Sequence, residues 1–169
     1  GKSWSKIRKS ATLVREKYGK DYERVMCDAT PFYHKKSGKL LIIGQSAVYS
    51  NNFLAKRPRP RHTLWSIFDP EKNDWEKFRE LKMPDDKLFF SCGAGSAQIL
   101  ELPDGDLLIP VYHASTGLLK SRVLKCSFDG KELKVKEIGS PLSINVRRGL
   151  YEPSIAELNG KYFLALRND

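Results

Sequence analysis

The chain has 169 residues, 40% of them hydrophobic, which supports one sizeable core and excludes a wholly disordered polymer. Lys and Arg number 30 against 20 Asp and Glu, for a net charge of +10. No run approaches the ~18 apolar residues of a membrane helix, and Cys27, Cys92 and Cys126 lack the close spacing of a zinc knuckle, a CxxC pair or a disulfide-dense scaffold.

Gly1 to Trp4 matches no targeting signal, so the chain is expected to be a piece of a longer protein. The one helical expectation is a charged stretch around Thr12 to Lys20. After it the readable segments are strands. Thr30 to Leu41, Gln98 to Leu108 and Pro153 to Phe163 each read as strand, polar-Gly turn, apolar strand. Ser37-Gly38, Asp104-Gly105 and Asn159-Gly160 are hairpin chemistry, because Gly and Asn reach positive φ at little cost. Glycines at 38, 105 and 160 make a repeat longer than the ~50 residues of a kelch blade. Such a repeat fits a β-propeller with inserted loops; two or three unrelated hairpins in a β-sandwich are the alternative.

A second element recurs between the hairpins. Ser66-Ile67-Phe68-Asp69 leads through an acidic turn to Trp75, and Ser127-Phe128-Asp129-Gly130 is the same turn without the Trp. Gly1-Lys2-Ser3-Trp4 reads as the tail of a third copy. The Asp is expected to cap its own turn and the Trp to pack on the sheet, both structural roles.

These turns resemble the Asp boxes of sialidases, Ser-x-Asp-x-Gly-x-x-Trp. Gly93 to His113, a Gly-x-Gly turn before a hairpin, is similar to the family's third-blade segment. Glu152 to Arg167 is similar to its fourth. The resemblance implies an all-β, six-bladed propeller of which about three blades are present. Residues 1–26 would end the first blade and connect it, 27–90 form the second, 91–148 the third, and 149–169 begin the fourth.

It also implies an exo-glycosidase that removes a terminal acidic sugar through a Tyr nucleophile. Glu152 would be the base for that Tyr. Arg167 would pair the sugar carboxylate with its planar fork of donors. The family's remaining catalytic Arg, Asp and Tyr would lie outside these residues. Arg61, in the basic loop Lys56 to His62, and His113 and Tyr151 are further substrate-contact candidates. Arg147-Arg148 is either a rim of the site or a plain exposed pair. For Glu152 and Arg167 the alternative is an exposed cross-strand ion pair. A propeller that binds glycans without cleaving them is the rival function. Nucleic acid is not an expected partner, because the charge is dispersed and the aromatics sit in strand and turn positions. The resemblance implies no metal, no cofactor and a secreted or periplasmic protein.

Overall fold

Three hairpins organise the chain. The computed structural model describes residues 3–114 and 117–169 and is all-β, with no helix among them. The first sheet contains β1 (Glu16–Lys17), β2 (Glu23–His34), β3 (Lys39–Ser50), β4 (Phe53–Leu54), β5 (Thr63–Asp69), β6 (Asp74–Trp75) and β7 (Arg79–Glu80). Its order is β1-β2-β3-β5-β6, with β4 on β3 and β7 on β5. The second contains β8 (Cys92–Gly93), β9 (Leu100–Glu101), β10 (Leu107–His113), β11 (Lys120–Phe128) and β12 (Leu133–Ile138), ordered β12-β11-β10-β8, with β9 also on β10. β13 (Tyr151–Leu158) and β14 (Lys161–Arg167) form the third hairpin, paired antiparallel.

The turns follow from their residues. Leu158 pairs with Lys161, leaving Asn159 and Gly160 as a two-residue loop with φ of 53° and 72°. Positive φ at both positions is what the right-handed twist of a tight hairpin selects. Pro110 lies within β10, between the residues matched by β9 and those matched by β8, where that edge has no partner. A residue without an N–H is tolerated at such an edge.

The core lies between the first two sheets, with Leu41, Ile43 and Trp65 facing Leu107, Ile109 and Leu124, all buried. Full burial of each such aliphatic side chain stabilises by about 1.5–3 kcal/mol. His34, also buried, ties the sheets together: its Nε2 donates to the Gly105 carbonyl at 2.9 Å. β14 differs from β3 and β10. Its Tyr162 and Phe163 remain exposed, whereas no apolar residue of β3 or β10 is exposed and Leu41, Ile43, Leu107 and Ile109 are fully buried.

The first sheet is strongly curled, so its two edges approach each other. Ala11 N–H donates to Asp74 Oδ2 at 2.7 Å and the Thr12 hydroxyl to the Trp75 carbonyl, both on the β6 side. A few residues later β1 pairs with β2 on the other edge. The leading segment therefore straps the sheet as extended chain, and the helix expected at Thr12 to Lys20 does not form. Its charged residues are used in ion pairs across the sheet instead: Glu16 meets Arg24 at 2.8 Å and Lys77 at 3.0 Å, and Arg24 reaches Glu80 at 2.8 Å.

The acidic turns join β5 to β6 and β11 to β12. Asp69 Oδ1 accepts from the Glu71 and Lys72 amides, and Asp129 Oδ1 from those of Lys131 and Glu132. Trp75 packs edge-on to Phe68 with ring centroids 5.4 Å apart. Trp4, by contrast, is fully exposed, so it packs on no sheet. Gly1 and Lys2 of that expected third turn lie outside the described residues.

Candidate functional site

Residues of all three sheets meet around a cavity of about 730 Å³. β2 contributes Asp28, β3 Gln45, the β4–β5 connection Arg57, Arg59 and Arg61, β10 Tyr112, and β13 Tyr151 and Glu152, with Arg148 just ahead of it.

Two local distortions bring the carboxylates there. β2 bulges between Cys27 and Thr30, and β13 between Tyr151 and Ser154. Asp28 and Glu152 occupy these bulges with φ of 50° and 48°. Left-handed backbone in a residue other than Gly or Asn is uncommon, costs of order 1 kcal/mol or more, and often marks functional sites. Ser96, ahead of the middle hairpin, has φ 57° and donates its N–H to the Asp28 carbonyl. Asp28, Ser96 and Glu152 are thus left-handed residues in or ahead of successive hairpins, the first and last of them at bulges.

Gln45 anchors the floor. Its Nε2 donates to Asp28 Oδ2 at 2.7 Å, and its Oε1 accepts from the Tyr112 hydroxyl at 2.9 Å. The Gly-x-Gly turn exists for this side chain: a Cβ on Gly93 would sit 2.8 Å from Gln45 Cβ, and one on Gly95 2.6 Å from Gln45 Nε2. Two tyrosine rings continue the floor, Tyr112 and Tyr151, with centroids 6.1 Å apart. Each carries arginine. Arg61 lies 4.0 Å over Tyr112, while Arg148 and Arg167 lie 4.5 and 5.2 Å from the Tyr151 ring.

Glu152 and Arg167 are in contact. Arg167 Nη1 donates to Glu152 Oε2 at 3.0 Å, and its other nitrogens reach Asp169. Tyr151 and Arg167 are opposed in the ladder, so the open end of the hairpin holds the pair together. Both side chains keep solvent access. Arg61 is packed more deeply. Burial pushes its guanidinium below its ordinary pKa, and the like charges of Arg57 and Arg59 act in the same direction, opposed by Tyr112 and Cys92.

The cavity therefore gathers Arg61, Tyr151 and Glu152 from the expected site residues, with Arg167 bonded to Glu152 at its edge. His113 does not line it. Its ring is buried beside Phe89, and its Nε2 accepts from Arg122 Nε at 3.0 Å. Burial and Arg122 push the imidazole pKa down to about 4. A neutral, enclosed acceptor has a structural role, so His113 is removed from the substrate contacts. Asp28, Gln45 and Tyr112 were missed. The signal for Asp28 was its place ahead of the first hairpin, matching that of Glu152 ahead of the third. The contacts of Gln45 span 67 residues to Tyr112, which no local pattern reveals.

No cluster of three or more metal-ligating side chains and no helix long and apolar enough to cross a membrane occurs among the described residues. No protein-family model matches the chain, and no curated protein matches it.

Proposed function

We propose that the three sheets are successive blades of a six-bladed, sialidase-type β-propeller, and that the cavity belongs to a glycoside hydrolase site for a terminal acidic sugar. The Glu152–Arg167 pair carries this reading: a carboxylate on the cavity wall, 3.0 Å from a guanidinium at its edge. Glu152 accepts the proton of a tyrosine hydroxyl as that oxygen attacks the anomeric carbon. The glycosidic C–O bond breaks, the leaving alcohol gains a proton, and water then hydrolyses the glycosyl-tyrosine. Arg167 pairs the sugar carboxylate through its fork. Because Arg167 already faces Glu152 and Asp169, binding exchanges one anionic partner for another. The nucleophile is neither Tyr112, whose hydroxyl is held by Gln45, nor Tyr151, which is buried with its hydroxyl 3.3 Å from Arg148 Nη1.

The test is kcat and KM of the full-length protein that carries these residues, on an aryl sialoside and on an aryl glycoside of a neutral sugar. Glu152→Gln should lower kcat by about 10²- to 10⁴-fold with little change in binding. Arg167→Lys should weaken substrate and transition state together, because an ammonium lacks the bidentate fork. A preference for the neutral sugar refutes the carboxylate role. Activity unchanged in both variants makes the pair an exposed cross-strand contact and leaves a glycan-binding propeller.

A further inference from the structure

The positive charge around the cavity falls into two groups, separated by the two tyrosine rings. At one end Arg148 and Arg167 cover Tyr151; at the other Arg61 covers Tyr112, with Arg57 and Arg59 on the same wall. The acidic-sugar reading uses only the first group.

The second group has no internal acid to satisfy it. Among the described residues Arg57, Arg59 and Arg61 make no ion pair, and Arg59 Nη1 donates only to the Ala55 carbonyl, at 2.6 Å. The buried Nε of Arg61 has no hydrogen-bond partner. Of the two carboxylates on the cavity, Asp28 is held by Gln45 and Glu152 by Arg167. A guanidinium with a buried, unpartnered N–H beside two like charges is costly unless an anion completes it.

The segment that presents these arginines is also fixed. The Arg61 N–H donates to the Phe90 carbonyl, the Arg61 carbonyl accepts from the Cys92 N–H at 2.7 Å, and the next amide, of His62, donates to Ser46 Oγ. Pro58 and Pro60 stiffen the approach. A prearranged fork of donors suits an oxyanion, and little ordering entropy is lost when one binds.

We infer that Arg57, Arg59 and Arg61 form a second anion-binding site, which takes a carboxylate or sulfate ester on the sugar next to the terminal acidic one. The substrate class is then a glycan with acidic groups on adjacent sugars. This rests on the acidic-sugar reading for the first group only.

Isothermal titration of the full-chain protein tests it with three disaccharides: one uronic acid joined to a neutral sugar, two joined uronic acids, and one uronic acid joined to a sulfated sugar. Either dianionic ligand should bind about tenfold or more tightly than the monoanionic one, the preference falling with salt. The two dianionic arms decide between carboxylate and sulfate. Arg57→Gln/Arg59→Gln, which alters loop side chains outside the core, should bring the ratio near one. Arg61→Lys, which keeps the charge and loses the fork, should do the same. A wild-type ratio near one overturns the inference, as does a ratio unchanged in both variants. So does tight binding of a short single-stranded oligonucleotide that the sulfated ligand fails to displace. If hydrolysis is insensitive to Glu152→Gln while the dianion preference persists, the glycosidase reading fails and the second site stands.

Discussion

Replacing Gly93 by Ala places a methyl group against Gln45, 2.8 Å from its Cβ and closer still to its Oε1. Real Cβ contacts are not that short, so Gln45, itself buried, must move. Moving it breaks two bonds at once. The Tyr112 hydroxyl loses its acceptor, worth about 1 kcal/mol, and Asp28 loses a charge-assisted donor, worth about 1.5–3 kcal/mol. Replacing Gly by Ala within a strand returns roughly 0.5–1 kcal/mol of backbone entropy. The net loss is therefore about 2–3 kcal/mol, or roughly 5–10 °C in Tm for a chain of this size. Urea unfolding of four proteins checks it: wild type, Gly93→Ala, Gln45→Ala and the double variant. Gln45→Ala alone removes the same two bonds, and in its background the methyl at 93 no longer meets Oε1 or Cδ but only the retained Cβ, 2.8 Å away. The double variant should therefore lose less than the sum of the two single losses, with a coupling energy of about 1–3 kcal/mol. Additive effects, or a Gly93→Ala protein as stable as wild type, would refute the account of the Gly-x-Gly turn.

Gly149→Ala should destabilise by more than about 2 kcal/mol, since φ is +86° and the new Cβ would clash with the Leu119 backbone, which cannot swing aside as Gln45 can; a Tm within 2–3 °C of wild type contradicts this. For Glu16, burial favours the neutral acid, but its bonds to Arg24 and Lys77 outweigh burial and lower the pKa. For Glu80, the bonds to His62 and Arg24 outweigh burial in the same direction. Their contribution is therefore complete above the unfolded value of ~4.3 and is lost as pH falls through the lower folded values. Tm should drop between about pH 5 and pH 3, less steeply in Arg24→Met; equal slopes would show that the network is not responsible. All three thiols are free, with burial pushing Cys27 up to about 11 and Cys92 and Cys126 up to about 12. Iodoacetamide at pH 7.5 should leave the native thiols unmodified and label three on unfolding, and rapid labelling of Cys92 or Cys126 in the native protein would contradict that burial.

Local chemistry was legible in the sequence. Asn159-Gly160 dictates a two-residue hairpin because few other pairs accept positive φ twice, and Asp69 and Asp129 cap turns whose amides lie within three residues. The stretch from Thr12 to Lys20 misled because its charges look solvated in sequence, while the partners of Glu16, Arg24 on β2 and Lys77 between β6 and β7, come together only when the first sheet curls. His113 misled for a related reason: strand position puts it near the pocket, but packing against Phe89 and Arg122 encloses it.

The site divides along the same line. Glu152 and Arg167 are ends of one hairpin, so their meeting is a matter of turn length and register, both written in consecutive residues. Asp28, Gln45, Arg61 and Tyr112 come from separate hairpins and a connecting loop. Which of them share a cavity depends on how the sheets stack around Leu41, Ile43, Leu107 and Ile109. Apolar burial is non-directional, so it commits these residues to a core without saying which faces meet. Only the packed sheets place three unpaired arginines opposite Arg148 and Arg167, across two tyrosine rings.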